Sequence, residues 1–342
     1  MNKKILTIHS EDRDINKWPN QNEFEVVLPD TYINIEQMNL LNISLINNFY
    51  NISEKLMNNY INTSSSESNP DNIFIIPDGF YSPDQLAFTL TKIFQENHES
   101  NIYVLYDRVK MKFLFIIHNS ITDFNLNFEN LVSTDKLCIN NKFLINPEKV
   151  AYQYSHWGIG YNLGFKKKIY TDFSAANFAL DKDISFAHYV NKFDICLNDP
   201  LEILPHSFNF NHYNFLYSET TIDLNPLSNI YMEIDKHNYA DEIMPYQYRS
   251  NYLYCNDYNA SVNSYFAKII LDNLNNNQNI FLTYTSSNGE IYNGNLLYNN
   301  KIDRLFKLKF KFRYHNGILV DFNDKNFNFT LEFVQGDNKK NF

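Results

Sequence analysis

The side chains that could do chemistry are few and widely spaced. His206 and His212 lie close together in the aromatic stretch PHSFNFNHYNF. A zinc site needs a third ligand and usually a fourth, and none stands nearby, so the pair reads as surface or packed histidines. Glu233 and Asp235 fall on one face of a strand, as a carboxylate pair for acid–base work would, but the rim of a sheet is their expected home. His9, Glu11, Asp12 and Asp14 offer metal donors without the oxygen spacing and turn glycine of a hard-metal loop, and are expected to belong to an arm. Gly158-x-Gly160 does not meet the phosphate-binding fingerprint, which needs a third glycine at the right spacing, a preceding strand and a helix opening at the loop. It reads as a glycine-bearing turn under Trp157 and Phe165, with Lys166 to Lys168 in solvent. Cys138, Cys196 and Cys255 are odd in number and lack metal spacing, which predicts free thiols in a reducing compartment. The sequence carries no nucleophile elbow, Walker loop, His-Glu-x-x-His or Cys-x-x-Cys. No catalytic residue, cofactor or metal is expected.

The elements are far more legible. From Phe306 to Arg313 the chain alternates strictly, with Phe306, Leu308, Phe310 and Phe312 on one face and Lys307, Lys309, Lys311 and Arg313 on the other. That period of two predicts a half-buried strand with a solvated basic face. His315-Asn316-Gly317 has hairpin-turn chemistry, and Phe327, Phe329, Leu331 and Phe333 predict the partner strand. Phe24, Val26 and Leu28 form an earlier core strand closed by Pro29, and Leu41, Ile43 and Leu45 another. NIYMEID (229–235), SYFAKIIL (264–271) and IFLTYT (280–285) have sandwich-strand length and composition. Between these lies a β-α-β-β unit. Its helix, 83–97, is announced by Ser82, Pro83 and Gln85 and by a stripe of Leu86, Leu90, Ile93 and Phe94. The polar run 62–71 reads as a linker.

Composition agrees with a large β protein. The 342 residues contain 29 Phe and 25 Tyr against 8 Gly and 10 Pro, a bias toward strands and large contact surfaces. The abundant Asn is interleaved with apolar patterns and is assigned to loops and solvated strand faces. A net charge of −10 argues against direct nucleic-acid binding. No apolar run approaches the ~20 residues of a membrane-spanning helix, so no transmembrane segment is expected. No signal peptide opens the chain, so the Asn-x-Ser/Thr sequons, such as Asn42 and Asn51, are not expected to be glycosylated.

IHSEDRDINKWPNQNEFEVVLP followed by MNLLNISLINNFYNI resembles the amino-terminal region of the jelly-roll minor capsid and penton-like virion proteins of nucleocytoplasmic large DNA viruses. IPDGFYSPDQLAFTL is similar to their Ile-Pro-x-Gly-x-Tyr-Ser segment with its helix. SYFAKIIL and IDRLFKLKFKFRYHNGILVDFNDKNFNFTLEF resemble their carboxy-terminal strands. The matches occur in order along most of the chain, except for roughly 120–225. The resemblance implies a mainly β fold, a jelly-roll β-sandwich built from 1–61 plus 200–342, with 70–195 inserted as an α+β subdomain that contains helix 83–97. Two tandem β domains are the alternative. It further implies a non-enzymatic penton or minor capsid component that cements or completes the major capsid lattice of a large icosahedral DNA virus. On that reading the protein is oligomeric in the virion, assembled in the host cytoplasm, and bound to major capsid protein and other minor capsid proteins.

Protein interfaces concentrate their energy in aromatic and Arg anchors. The candidates on that ground are Arg13, Trp18, Phe49, Tyr50, Phe208, Phe210, Tyr213 and Phe215. A function from another class, a carbohydrate-binding or hydrolytic β-sandwich, would instead use Tyr154, Trp157 and Tyr161 as a stacking platform.

Overall fold

The computed structural model describes residues 2–46, 49–56, 58–64, 72–97, 102–121, 124–128, 158–171, 212–224, 228–243, 262–271, 281–292, 294–315, 317 and 319–336. These residues are mainly β and fall into two compact units. One takes in described residues of Met1–Phe49 and Leu227–Phe342, the other described residues of 50–134 and 151–226.

The first unit is a curled antiparallel sheet organised around one long strand. Its strands are β1 (Asn2–His9), β2 (Glu23–Ile46), β10 (Asn229–Ile234), β13 (Ala267–Ile270), β14 (Phe281–Thr285), β15 (Ile291–Tyr292), β16 (Asn295–Arg313) and β17 (Asn328–Gln335), in the order β1-β17-β2-β16-β10-β13-β15, with β14 also on β2. A straight strand with the 24 residues of β2 would run about 80 Å. Yet Phe310, in register with Phe24 near one end, and Phe329, in register with Ile43 near the other, bring their rings to 4.9 Å. β2 therefore bends back. The bend falls at Asn34, whose φ of 52° is one that Asn tolerates better than most residues, and both neighbouring pairings slip register around it. The first part of β2 runs with β16, the second with β17 and β14, and the two layers face each other as a jelly-roll-like sandwich. Phe24, Phe310, Phe312, Phe322, Phe327 and Phe329 fill its core, with Tyr32 against Phe333 at 4.9 Å.

Several expectations fail locally, among them the closing of a strand at Pro29, through which β2 runs on. The strands around His315-Asn316-Gly317 do not form a hairpin, because β2 lies between β16 and β17. After Gly317 (φ 82°) the chain makes one bridge, Arg313 to Leu319, and then crosses to the other layer. Phe306 is 56% exposed while Leu305 is buried, because the pairing shifts register between Leu305 and Lys307, opposite the stretch containing Pro29. A single register step turns every following side chain to the other face. Arg313, expected in solvent with the lysines, is 1% exposed.

The second unit holds two small sheets and a helix. β3 (Tyr60–Ser64), β4 (Asn72–Ile75), β7 (Asn125–Asn127) and β8 (Ile169–Tyr170) pair in the order β4-β3-β7-β8. β5 (Ile102–Asp107), β6 (Lys112–His118) and β9 (Tyr213–Tyr217) make the other sheet. Tyr60 to Thr63 are thus paired strand, with Asn62 and Thr63 buried, where a linker was expected from 62. Helix α1 (Pro83–Asn97) begins on the expected capping box: the Ser82 amide donates to Gln85 Oε1 at 2.9 Å and the Gln85 amide to Ser82 Oγ at 3.3 Å. Its stripe of Leu86, Leu90 and Phe94 is fully buried, and Phe94 meets Phe74, Phe115 and Phe124 edge-on. In this unit Asn is also a core residue. Asn58 donates to Asn51 O and Asn162 Oδ1, and Asn51 and Tyr81 exchange two hydrogen bonds.

Candidate interaction surface

The arm that follows β1 is tied down by one guanidinium. After the 3-10 turn Ser10–Asp12 the chain folds around Arg13, which is 8% exposed. Arg13 donates from Nη1 to Ser10 O (2.6 Å) and Asn326 Oδ1 (3.3 Å), from Nε to Trp18 O (3.0 Å) and from Nη2 to Pro19 O (3.2 Å). A planar five-donor group suits such a knot, where a point-charge ammonium could not reach all four acceptors. Ser10 completes it: its amide donates to Phe327 O, its Oγ donates to Asn326 Oδ1, and the Phe327 amide donates to that Oγ. The arm is thereby fastened to the residues just before β17. The acids of the arm are engaged locally. Asp12 accepts from the His9 amide and Asp14 from the amides of Asn16 and Lys17. Among the described residues no group of three or more His, Cys, Asp or Glu is gathered as metal ligands.

Beyond the knot, Trp18 is half-buried, with Lys309 Nζ 4.8 Å and Lys17 Nζ 5.4 Å from its ring centroid. Lys309 also meets Glu23 at 2.5 Å, and Glu25 takes Lys307 at 3.2 Å and Lys17 at 3.5 Å. The Lys307 hydrogen bond leads the effects that hold the Glu25 carboxyl below its usual range, against an opposing effect of burial. The basic face of β16 is therefore a charge ladder in which Lys307 and Lys309 pair with Glu25 and Glu23 of β2 and Lys311 with Glu233 of β10. At the ladder's end Val27 (77% exposed) and Phe306 (56%) present apolar surface beside the register shift. The outer face of β2 and β16 thus combines a Trp, a neutralised charge ladder and an apolar pair.

The other candidates scatter. Phe49 is buried, its ring edge-on to Phe322 at 6.2 Å, whereas Tyr50 is 41% exposed. Tyr213 and Phe215 belong to β9 and are buried, Tyr213 against Tyr103 and His118. Phe208, Phe210 and His206 lie outside the described residues. Arg13 is buried as the tie of the arm and Trp18 stands half-exposed beside it; Tyr213 and Phe215 pack inside the second unit.

The remaining sequence features take structural roles. Gly158 (φ 121°) precedes the five-residue helix α2 (Ile159–Leu163), and Gly164 (φ 84°) ends it where a Cβ would lie 2.3 Å from Thr220 O. Tyr161 donates to Asp223 Oδ2 at 3.0 Å, while Tyr154 and Trp157 lie outside the described residues. Glu233 takes Lys311 and Arg313, and Asp235, just past β10, is exposed. Spacing did not reveal Glu242, which pairs with the buried Arg313 from a distant strand. Among the described residues no helix is long and apolar enough to cross a membrane.

No family model matches the chain, and no curated protein matches it. Among solved structures it is similar to the mavirus penton protein (crystal structure of the SeMet-labelled protein), at 9% identity and a TM-score of 0.40, covering 97% of this chain and 99% of that one.

Proposed function

We propose that this protein is a structural component of a large icosahedral DNA virus capsid, a penton or minor capsid protein that cements or completes the major capsid lattice. The supporting observation is where the resembling segments fall. The Ser10 to Arg13 arm, both parts of β2, and β13, β16 and β17 come from opposite ends of the chain and together build one sandwich, with the arm locked onto it by Arg13. The Ile76 to Gly79 segment bridges back to Ile52 in the second unit and leads into the capped helix. A fold alone does not give a function; the ordered resemblance supplies the class, and the sandwich is the scaffold that class requires.

On this reading the protein works through surfaces and carries out no catalysis. Its partners are major capsid protein and other minor capsid proteins, its working state is an oligomer in the virion, and it is assembled in the host cytoplasm. The outer face of β2 and β16, with Trp18, Val27 and Phe306, is the preferred contact, and Tyr50 the exposed candidate of the second unit. The domain plan on this reading is a sandwich interrupted by an inserted α+β subdomain. Co-purification of tagged protein from infected cells tests the proposal. Recovery of major capsid protein, reduced by Phe306→Ser, is expected; a protein that recovers no virion component would overturn it.

A further inference from the structure

The first unit carries a buried charge cluster at the Lys311 end of the ladder. β10 pairs with β16 as far as Ile234, turns through Asp235 to Asn238 with Lys236 at φ 67°, and returns as β11 (Ala240–Ile243), which pairs with β12 (Val262–Tyr265) as a separate two-stranded ribbon. Along this ribbon Asp241, Ile243, Val262 and Ser264 are exposed. Among the described residues, Tyr265 and Glu242 reach from the ribbon to the sandwich, and Tyr239, just before β11, accepts from the Asn295 amide at 3.0 Å. Tyr265 packs at its base, edge-on to Tyr231 at 5.1 Å. Glu242, toward its far end, reaches back to the end of β16, where one oxygen accepts from Arg313 Nη1 and the other lies 2.8 Å from His315 Nδ1.

Arg313 is 1% exposed, sits 5.0 Å from the Tyr231 ring centroid, and spends its Nε on Glu233, which also takes Lys311 at 3.4 Å. With Glu242 withdrawn, the fixed cation of Arg313 would keep one carboxylate and one backbone carbonyl, Tyr314 O. A buried cation stripped of a partner is strongly unfavourable in a dry site.

We propose that the β11–β12 ribbon is a hinged strap, clasped to the sandwich by the charge of Glu242 and released when that carboxylate is neutralised by acid. Its hinges are the 235–238 turn on one strand and Phe266, between β12 and β13, on the other. The titratable and charged groups acting on Glu242 are Tyr231 from β10, Arg313 from β16 and His315 from the segment after it; Glu233 and Lys311 lie on the other side of Arg313, Tyr265 of β12 packs on Tyr231, and Asp241, beside Glu242 on β11, is engaged by Ser264. Burial pushes the Glu242 carboxyl up, but the hydrogen bonds from His315 and Arg313 outweigh it and leave it below the usual range. The clasp is therefore complete above the unfolded carboxylate value and lost as pH falls through the lower folded one. Release uncovers Arg313 and the Tyr231–Tyr265 pair while the sandwich stays folded.

Hydrogen exchange of the full chain across pH, corrected for intrinsic rates, tests this. Residues 240–243 and 262–265 should lose protection by about tenfold or more at acid pH, before the β2 and β16 amides do. Glu242→Gln should show the same loss already at pH 7 with no further pH dependence, and Asp241→Asn should behave like the unaltered protein. Equal ribbon protection in Glu242→Gln and the unaltered protein at pH 7 would overturn the proposal. So would simultaneous acid loss in ribbon and sandwich, an outcome readable in the unaltered protein even if the variant fails to fold.

Discussion

Replacing Arg13 is the sharpest perturbation of the arm. In Arg13→Ala four hydrogen bonds from a buried cation disappear. Pro19 is exposed and Trp18 half-exposed, so their carbonyls regain water. Ser10 is 0% exposed, and its carbonyl, with the Asn326 amide oxygen it shares, loses most. Hydrogen bonds to charged groups contribute roughly 1.5–3 kcal/mol each and an orphaned buried acceptor costs about 1–3 kcal/mol. With two acceptors rehydrated, the net loss is about 2–3 kcal/mol, taken up by the arm and not by the aromatic core. That corresponds to roughly 30- to 150-fold faster opening-limited exchange at residues 10–18. Arg13→Lys should recover a minority of it, since an ammonium cannot span the four acceptors. Hydrogen exchange with fragment separation reads the arm and the core independently. If Arg13→Ala leaves the arm's protection within twofold of the unaltered protein, the knot does not hold the arm and the reasoning fails.

Other consequences are as direct. Phe312→Ala, at a fully buried ring packed on Phe322, Phe327 and Phe329, should cost about 3–5 kcal/mol in denaturant unfolding of the sandwich, while Phe306→Ala, at an exposed ring, should change it by less than about 0.5 kcal/mol. Gly164→Ala should destabilise the second unit by about 2 kcal/mol or more, because the residue sits at φ 84° and its new Cβ meets Thr220 O; thermal unfolding of the variant checks it. The carboxyls of Glu25 and Glu332 are held low, chiefly by hydrogen bonds from Lys307 and from Lys3 respectively, so their stabilisation is present above the unfolded carboxylate value and lost as pH falls through the depressed one. Acid unfolding of the sandwich should therefore be salt-sensitive, and an acid midpoint that does not move between low and high ionic strength would contradict the charge ladder.

The sandwich strands were legible because a strand with one buried face writes its period into the sequence, and β16 and β17 do so over many residues. Connectivity was not. Alternating patterns do not say that β2 lies between β16 and β17, because that order depends on a bend at Asn34 which sequence period does not encode. Phe306 deceived for a related reason: a register shift leaves composition unchanged and reverses the face. The buried Asn51, Asn58 and Asn162 looked like loop residues, since an amide that hydrogen-bonds backbone in a core has the same local signature as one in a turn. The arm was recognisable, but the role of Arg13 as an internal tie rather than a presented side chain depends on acceptors brought in from Asn326, far along the chain. The same distance hid the clasp of Glu242 and Arg313.

The most direct test of the central claim is a cryo-EM map, at side-chain resolution, of virions purified from cells in which this protein is made. The account predicts density for the sandwich, with the Arg13 knot in place and the Trp18, Val27 and Phe306 face against a neighbouring capsid subunit. A ring at the five-fold vertices would make it a penton, and density beneath or between major capsomers a cement protein. Complete capsids with no density for this chain, and the protein recovered only outside virions, would contradict it.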